Sequence, residues 1–186
     1  MGLSIREKAD AVATFRFISV YLMETLARWV PTTPELEVKV LFGRHLWDLA
    51  QHADAFGKRT AELRLGLHQS RRPTAAFMVV LETMAGAAGT PERLDGFFEV
   101  LMPDLGSRCR RYLDETDHLM DEPTVRILER VLADFTRMRR DREQLGQERP
   151  DLPTADRAWL ERLRRMAASA RDYVDFRPPP KTAEVV

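Results

Sequence analysis

The spacing of apolar residues is the feature that most limits what this chain can fold into. At positions 38, 42, 45, 49, 52 and 56, apolar side chains and two histidines follow one another at steps of four and three, as on one buried stripe of an α-helix. Alternation with a period of two is sustained nowhere, so no strand is predicted. Proline and glycine lie mostly at the junctions between periodic segments. The sequence therefore predicts an all-α, antiparallel helical bundle of about six helices with a four-helix core.

Turn and capping signals give approximate bounds for the six helices. The first is expected over residues 4–30, and the second runs to about residue 67, with Thr33 as its cap and Pro34 in its first turn. A third spans 75–88, a fourth runs from 90 to 120 with a kink at Pro103, and a fifth ends near 147. The segment PDLPTADRAW opens a sixth that ends near 176. We therefore expect one domain over 1–176 and a flexible tail over 177–186.

Charge and cysteine content exclude several classes of partner and site. Lys+Arg and Asp+Glu both number 29 among the 186 residues, so no single-signed field is available to hold nucleic acid or an anionic membrane surface. Cys109 is the only cysteine, which excludes an internal disulfide and a CxxC zinc site and favours a reducing compartment. The charged N-terminus lacks the apolar stretch of a signal peptide, and no run approaches about 18 apolar residues. A cytoplasmic protein is the expectation.

Three polar residues interrupt the apolar stripe of the second helix. His45 and His52 occupy stripe positions, so both imidazoles are predicted to point inward. Asp48 lies three residues after His45 and four before His52, from where its carboxylate can reach either ring. Glu24, in the adjoining antiparallel helix, is expected at the same level of the bundle. We predict that these four residues are catalytic and form the floor of a pocket for a small polar molecule.

Glutamates and a further histidine occur at places that a metal site between helices could use. Glu24 and Glu82 lie in two similar segments, YLMETLA and VVLETMA, each followed by a helix that carries a histidine. In the second of those helices Glu115 and His118 form Glu-x-x-His, a spacing at which both side chains can bind one metal ion from one helical face. The alternative for Glu24 and Glu82 is pairing with arginines at the edge of a buried face.

The chain resembles the ferritin-like superfamily, because two carboxylate-bearing helices alternate with two histidine-bearing helices. The segment HLWDLAQHADAF is also similar to the histidine-bearing helix of several bacterial members. The resemblance implies a diiron site with a Glu from each of two helices and Glu-x-x-His from each of the other two. Its ligands here would be Glu24, His52, Glu82, Glu115 and His118. Leu49 stands where the second helix would carry its glutamate. The segment DEPTVRILERVLADFTRMRRD also resembles the last metal-bearing helix of the family, but it contains no histidine.

Three classes of function remain open. The first is a metal-free, cofactor-free tailoring enzyme of specialised metabolism, in which His45 or His52, oriented by Asp48, is a general base in a pocket that has lost the full diiron site. The second is a dimetal-carboxylate oxidase or oxygenase with two iron or manganese ions. The third is a non-enzymatic helical interaction protein, partner-binding or homodimeric, with an exposed apolar stripe and with buried polar residues that only fix the helix register. We predict the first, because a buried polar cluster is costly unless its members satisfy one another or bind something.

Overall fold

A computed structural model describes residues 3–174 and shows six helices in that part of the chain. They are α1 (Ile5–Thr32), α2 (Leu36–Glu62), α3 (Ala75–Ala85), α4, α5 (Glu122–Glu148) and α6 (Arg157–Ser169). Helix α4 is continuous through Thr90–Asp95, a π-helical turn at Gly96–Leu101, and Met102–Glu115. No strand occurs within the described residues, so the predicted all-α class is confirmed. The predicted domain end at 176 and the tail over 177–186 lie outside them.

Helices α1 and α2 form an antiparallel pair with an apolar interface. Phe15 stacks on Phe56 with the ring centroids 5.4 Å apart, and Trp29 lies against Phe42 at 5.5 Å. A residue early in α1 therefore meets a residue late in α2, and the reverse holds at the other end. The connection of three residues, 33–35, allows only this reversal of direction.

Helices α4 and α5 complete the four-helix core. Helix α5 is antiparallel to α2, because Arg149 Nη1 meets Glu37 Oε2 at one end while Arg59 Nε donates to Thr124 Oγ1 at the other. Helix α4 packs beside α5, and its Tyr112 lies edge-on to Phe15 of α1 at 6.2 Å. The four helices thus enclose one continuous apolar core.

The two shorter helices cover one side of this core. Helix α3 packs against α1 and α6, and α6 also contacts the π-helical turn of α4. Gly96 in that turn allows the close approach, because a Cβ there would lie 2.7 Å from Met84 Sδ and 2.8 Å from Trp159 Cη2. This π-helical turn ends at Leu101, two residues before Pro103, and the kink expected at Pro103 stays a prediction.

Several predicted helix bounds are wrong. Helix α2 ends at Glu62 rather than near 67, since Arg64 and His68 adopt φ values of 66° and 56° in the loop that follows. The N-cap of α2 is Glu35 instead of Thr33, whose hydroxyl donates to the Trp29 carbonyl in the preceding helix. Helices α3, α4 and α6 also end before the predicted positions, at Ala85, Glu115 and Ser169.

A buried carboxylate ties the four core helices together at the turn between α4 and α5. Asp121 is fully buried, and Lys8 Nζ of α1 lies 4.0 Å from it. Burial raises its pKa, but its hydrogen bonds outweigh burial and hold the pKa below its ordinary value. The donors are Thr124 Oγ1 at 2.6 Å, Tyr112 Oη at 2.7 Å, Thr116 Oγ1 at 2.8 Å and Arg59 Nη2 at 2.9 Å.

Candidate functional site

The two histidines of α2 point into the interface between α2 and α5. The exposed fraction of the side chain is 0% for His45 and 2% for His52, so the predicted inward orientation is confirmed. Each imidazole also meets a phenylalanine ring edge to face. The ring centroids are 5.6 Å apart for His45 and Phe98 of α4, and 5.8 Å apart for His52 and Phe135 of α5. The rings are therefore held between helices and largely removed from water.

Each histidine is paired with a different aspartate. His45 Nδ1 lies 3.3 Å from Asp48 Oδ2, as the spacing on α2 predicts. His52 Nε2 lies 2.9 Å from Oδ2 of Asp134, which belongs to α5. The expectation that Asp48 could serve either ring thus holds for His45, whereas the hydrogen-bonded partner of His52 comes from another helix.

Arg137 joins the two pairs into one chain of polar contacts. Its guanidinium donates to both carboxylate oxygens of Asp48, at 2.9 and 3.2 Å, and to Asp134 Oδ1 at 2.7 Å. These hydrogen bonds raise the pKa of Arg137, which therefore stays charged. The result is a continuous sequence of contacts from His45 through Asp48, Arg137 and Asp134 to His52.

The pKa shifts define the protonation states of the His52 pair. Burial lowers the pKa of His52, although the hydrogen bond to Asp134 opposes that effect, so the ring is neutral near pH 7. Burial raises the pKa of Asp134, but hydrogen bonds from His52 and Arg137 outweigh it and the net pKa is below its ordinary value. An ionised Asp134 can only accept, so Nε2 carries the imidazole proton and Nδ1 has a lone pair.

One nitrogen of each ring has no hydrogen-bond partner among residues 3–174: Nε2 of His45 and Nδ1 of His52. The nearest carboxylate oxygen to His45 Nε2, Oδ2 of Asp141, is 3.9 Å away and also pairs with Arg44. Burial lowers the pKa of His45. The hydrogen bond with Asp48 raises it but does not outweigh burial, so this ring is neutral as well. A buried nitrogen without a partner costs about 1–3 kcal/mol. Both rings therefore carry an unused basic atom.

A cleft of about 220 Å³ opens between α2 and α5 beside His52. Its walls include an apolar part and a basic part, and α5 supplies most of them. The lining comprises Gln51, His52, Ala55, Arg126, Ile127, Arg130 and Val131. The cleft thus reaches His52, one member of the His52–Asp134 pair.

Four of the predicted site residues lie elsewhere. Glu24, Glu82, Glu115 and His118 are all exposed, and the predicted position of Glu24 beside the histidines is wrong. Leu22 and Leu26 occupy the buried face of α1, so the intervening Glu24 points to solvent. The ring of His118 is held by the Leu113 carbonyl at 2.8 Å.

The residues that sequence reasoning missed all lie on α5. Asp134, Arg137 and Asp141 recur at steps of three and four, which places them on one helical face. The same segment looks like an ordinary solvated face because further arginines surround it. The sequence did contain a signal. Asp134 and Asp141 are seven residues apart, as His45 and His52 are on α2, and Arg137 lies between the two aspartates.

These residues do not fit a dimetal centre. No group of three or more His, Cys, Asp or Glu side chains in the described part of the chain is arranged to hold a metal ion. Asp48 and Asp134, the carboxylates nearest the histidines, already share the guanidinium of Arg137, whose positive charge opposes a metal cation. The five ligands that the ferritin-like resemblance implies are not brought together, since only His52 lies in this interface.

Comparison with protein-family models, curated proteins and solved structures finds no match to this chain. Among helices within residues 3–174, none is long and apolar enough to cross a membrane.

Proposed function

We propose that this protein binds a small polar molecule in the cleft between α2 and α5 and acts on it by metal-free acid–base chemistry. The observation that carries the proposal is the His52–Asp134 pair, in which one ring nitrogen is bound to a half-buried carboxylate and the other has no partner among residues 3–174. This is the arrangement of a general base whose orientation is fixed by a carboxylate. His52 would be the catalytic residue, and Asp134 and Arg137 would be positioning residues.

In the proposed step, Nδ1 of His52 takes a proton from a carbon or oxygen atom of the bound molecule. The ring then carries a positive charge, which the carboxylate of Asp134 stabilises at 2.9 Å. The electron pair of the broken bond stays on the substrate. The proton on Nδ1 exchanges with solvent, and Nδ1 then returns a solvent-derived proton when the product forms. Burial favours this role, because a base with a lowered pKa is unprotonated near pH 7.

Hydrogen–deuterium exchange at carbon tests this proposal. A panel of small carbonyl compounds is incubated with the protein in D2O, and proton NMR follows the loss of the α-proton signals. We expect at least one compound to exchange faster with the wild type than with His52→Gln, and the chelator EDTA to leave the rate unchanged. The matched control is His118→Gln, which alters an exposed histidine.

Asp134→Asn provides a second variant in case His52→Gln does not fold. We expect it to slow the exchange and to alter its pH profile, because an amide cannot stabilise the charged ring as a carboxylate does. Equal exchange rates with the wild type and both variants, for every compound, would rule out the proposed base.

A specific surface feature favours a second candidate function, that of a homodimeric interaction protein. Leu36, Val40 and Trp47 are 70%, 55% and 64% exposed, and with Gly43 they recur on α2 at steps of four, three and four. A Cβ at Gly43 would meet nothing within 4 Å, so the fold of the single chain does not require a glycine there. Glycine in a helix costs about 1 kcal/mol relative to alanine. A second copy of α2 that crosses at Gly43 would cover the exposed apolar side chains and would give the glycine a structural reason.

Sedimentation velocity decides this alternative. If α2 forms the interface, the wild type sediments as a dimer and Trp47→Glu as a monomer, whereas Leu119→Glu, at another exposed apolar residue, stays dimeric. A monomeric wild type at all accessible concentrations would exclude the homodimer.

A further inference from the structure

The charge of the cleft between α2 and α5 is entirely positive. Arg126 and Arg130 are the charged residues of its lining, and no carboxylate contributes to it. Arg126 is neutralised by an ion pair with Glu122 one turn earlier on α5. Arg130 makes no hydrogen bond or ion pair with any residue in the described range, and its charge is one of the influences that lower the pKa of His52. The cleft therefore holds one uncompensated cation close to a buried imidazole.

Apart from the two arginines, Gln51 and His52, the walls of the cleft are apolar. Ala55 of α2 faces Ile127 and Val131 of α5 across it. Its volume of about 220 Å³ is below the range of about 300–1,000 Å³ that is typical of pockets for drug-sized ligands. The space therefore suits a molecule with a few carbon atoms.

We infer that this cleft binds a short-chain carboxylic acid in its ionised form, with Arg130 as the counter-ion of the carboxylate and the aliphatic walls around its carbon chain. The inference rests on the proposed small-molecule function and adds the chemical class of the ligand. A guanidinium matches a carboxylate with two parallel hydrogen bonds. The apolar walls favour an organic anion over an inorganic one, because phosphate would leave them unfilled.

Butyrate and butanamide are the probes that test this inference, since they have the same shape and differ in charge. Binding is followed by the saturable shifts of the backbone amides of Ala55, Ile127 and Val131 in two-dimensional NMR of the full chain. We expect butyrate to bind at least about tenfold more tightly than butanamide. Inorganic phosphate at the same ionic strength is expected to produce no saturable shift at these amides.

The matched variants are Arg130→Gln and Arg139→Gln. Both remove one positive charge from the exposed side of α5, but Arg139 lies outside this cleft and pairs with Glu143. We expect Arg130→Gln to weaken butyrate binding about tenfold and Arg139→Gln to leave it unchanged.

The possible outcomes separate this inference from the proposed function. Equal binding of butyrate and butanamide, or equal affinity of the wild type and Arg130→Gln for butyrate, would overturn the carboxylate inference while the small-molecule cleft stands. Phosphate binding as tight as that of butyrate would show that the cleft is a general anion site and would overturn it too. If neither organic probe shifts the cleft amides, the inference and the proposed cleft both fail.

Discussion

At the level of single residues, His45 and His52 are alike in chemistry and differ in what lies beside them. Both rings are buried and neutral, and both have one nitrogen on an aspartate and one without a partner in the described structure. The cleft reaches only His52, whereas His45 is fully enclosed beside Phe98. We therefore assign chemistry to His52 and regard His45 as its buried counterpart at the other end of the Arg137 contacts.

The lowered histidine pKa values predict how stability depends on pH. Below about pH 6.5 the histidines of the unfolded chain bind protons, while His45 and His52 in the folded chain do not. The unfolded state is therefore favoured as pH falls, and the free energy of unfolding decreases between about pH 7 and 5, with a slope of up to about 1.4 kcal/mol per pH unit for each histidine. Urea denaturation at several pH values measures this slope.

The matched variants identify the source of the slope. His52→Gln removes one of the two buried imidazoles and is expected to flatten the pH dependence, whereas His118→Gln, at an exposed position, keeps the wild-type slope. Asp121 and Asp134 have lowered pKa values and so lose their contribution only at more acidic pH. A stability that is constant or rises from pH 7 to pH 5 would contradict the neutral, buried state of the two rings.

At the level of elements, α2 carries two stripes of residues at steps of three and four. One stripe is buried and the other is exposed to solvent. The buried stripe includes Phe42, Leu49 and Phe56 together with the two histidines, and it faces the other core helices. The exposed stripe consists of Leu36, Val40, Gly43 and Trp47. The first packs α2 against α1 and α5, and the second is the surface on which the dimer alternative depends.

Leu49→Ala tests the buried stripe. Leu49 is 1% exposed between the two histidines, so its truncation leaves a cavity in the α2 interface and is expected to reduce the free energy of unfolding by about 2–5 kcal/mol. Leu119→Ala, at a residue that is 85% exposed, should change it by less than about 0.5 kcal/mol. Equal effects of the two substitutions in chemical denaturation would show that this face of α2 does not pack in solution.

The periodicity of α2 was sufficient to predict the inward histidines and the His45–Asp48 contact, because both depend only on spacing within one helix. Glu24 was placed wrongly because its position along α1 does not give the rotation of that helix. In the structure Leu22 and Leu26 form the buried face of α1, and Glu24 lies outside it. The His52–Asp134 contact depends on the rotation of α5 about its axis. That rotation is set by packing across the bundle, which spacing within α5 alone does not determine.

At the level of the whole molecule, Asp121 is the residue through which the four core helices are connected by polar contacts. Asp121→Ala leaves Arg59 and Tyr112 without this buried acceptor, and we expect a loss of about 3–5 kcal/mol in the free energy of unfolding. The control is Asp114→Ala, because Asp114 is an exposed carboxylate on α4 near the same turn. A loss below about 1 kcal/mol for Asp121→Ala in urea denaturation would contradict the connecting role.

The two interfaces of α2 also differ in how they respond to ionic strength. Aromatic rings hold α1 against α2, whereas ion pairs that reach the surface, such as Glu37–Arg149 and Arg44–Asp141, contribute along α5. Sodium chloride at 1 M screens the ion pairs, since the Debye length falls to about 3 Å, and leaves the aromatic contacts in place. Backbone amides of α5 should then exchange with deuterium faster, relative to those of α1, than at low salt. Such an opening of α5 would expose His52 and the buried face of α2 to solvent while the α1–α2 pair stays intact.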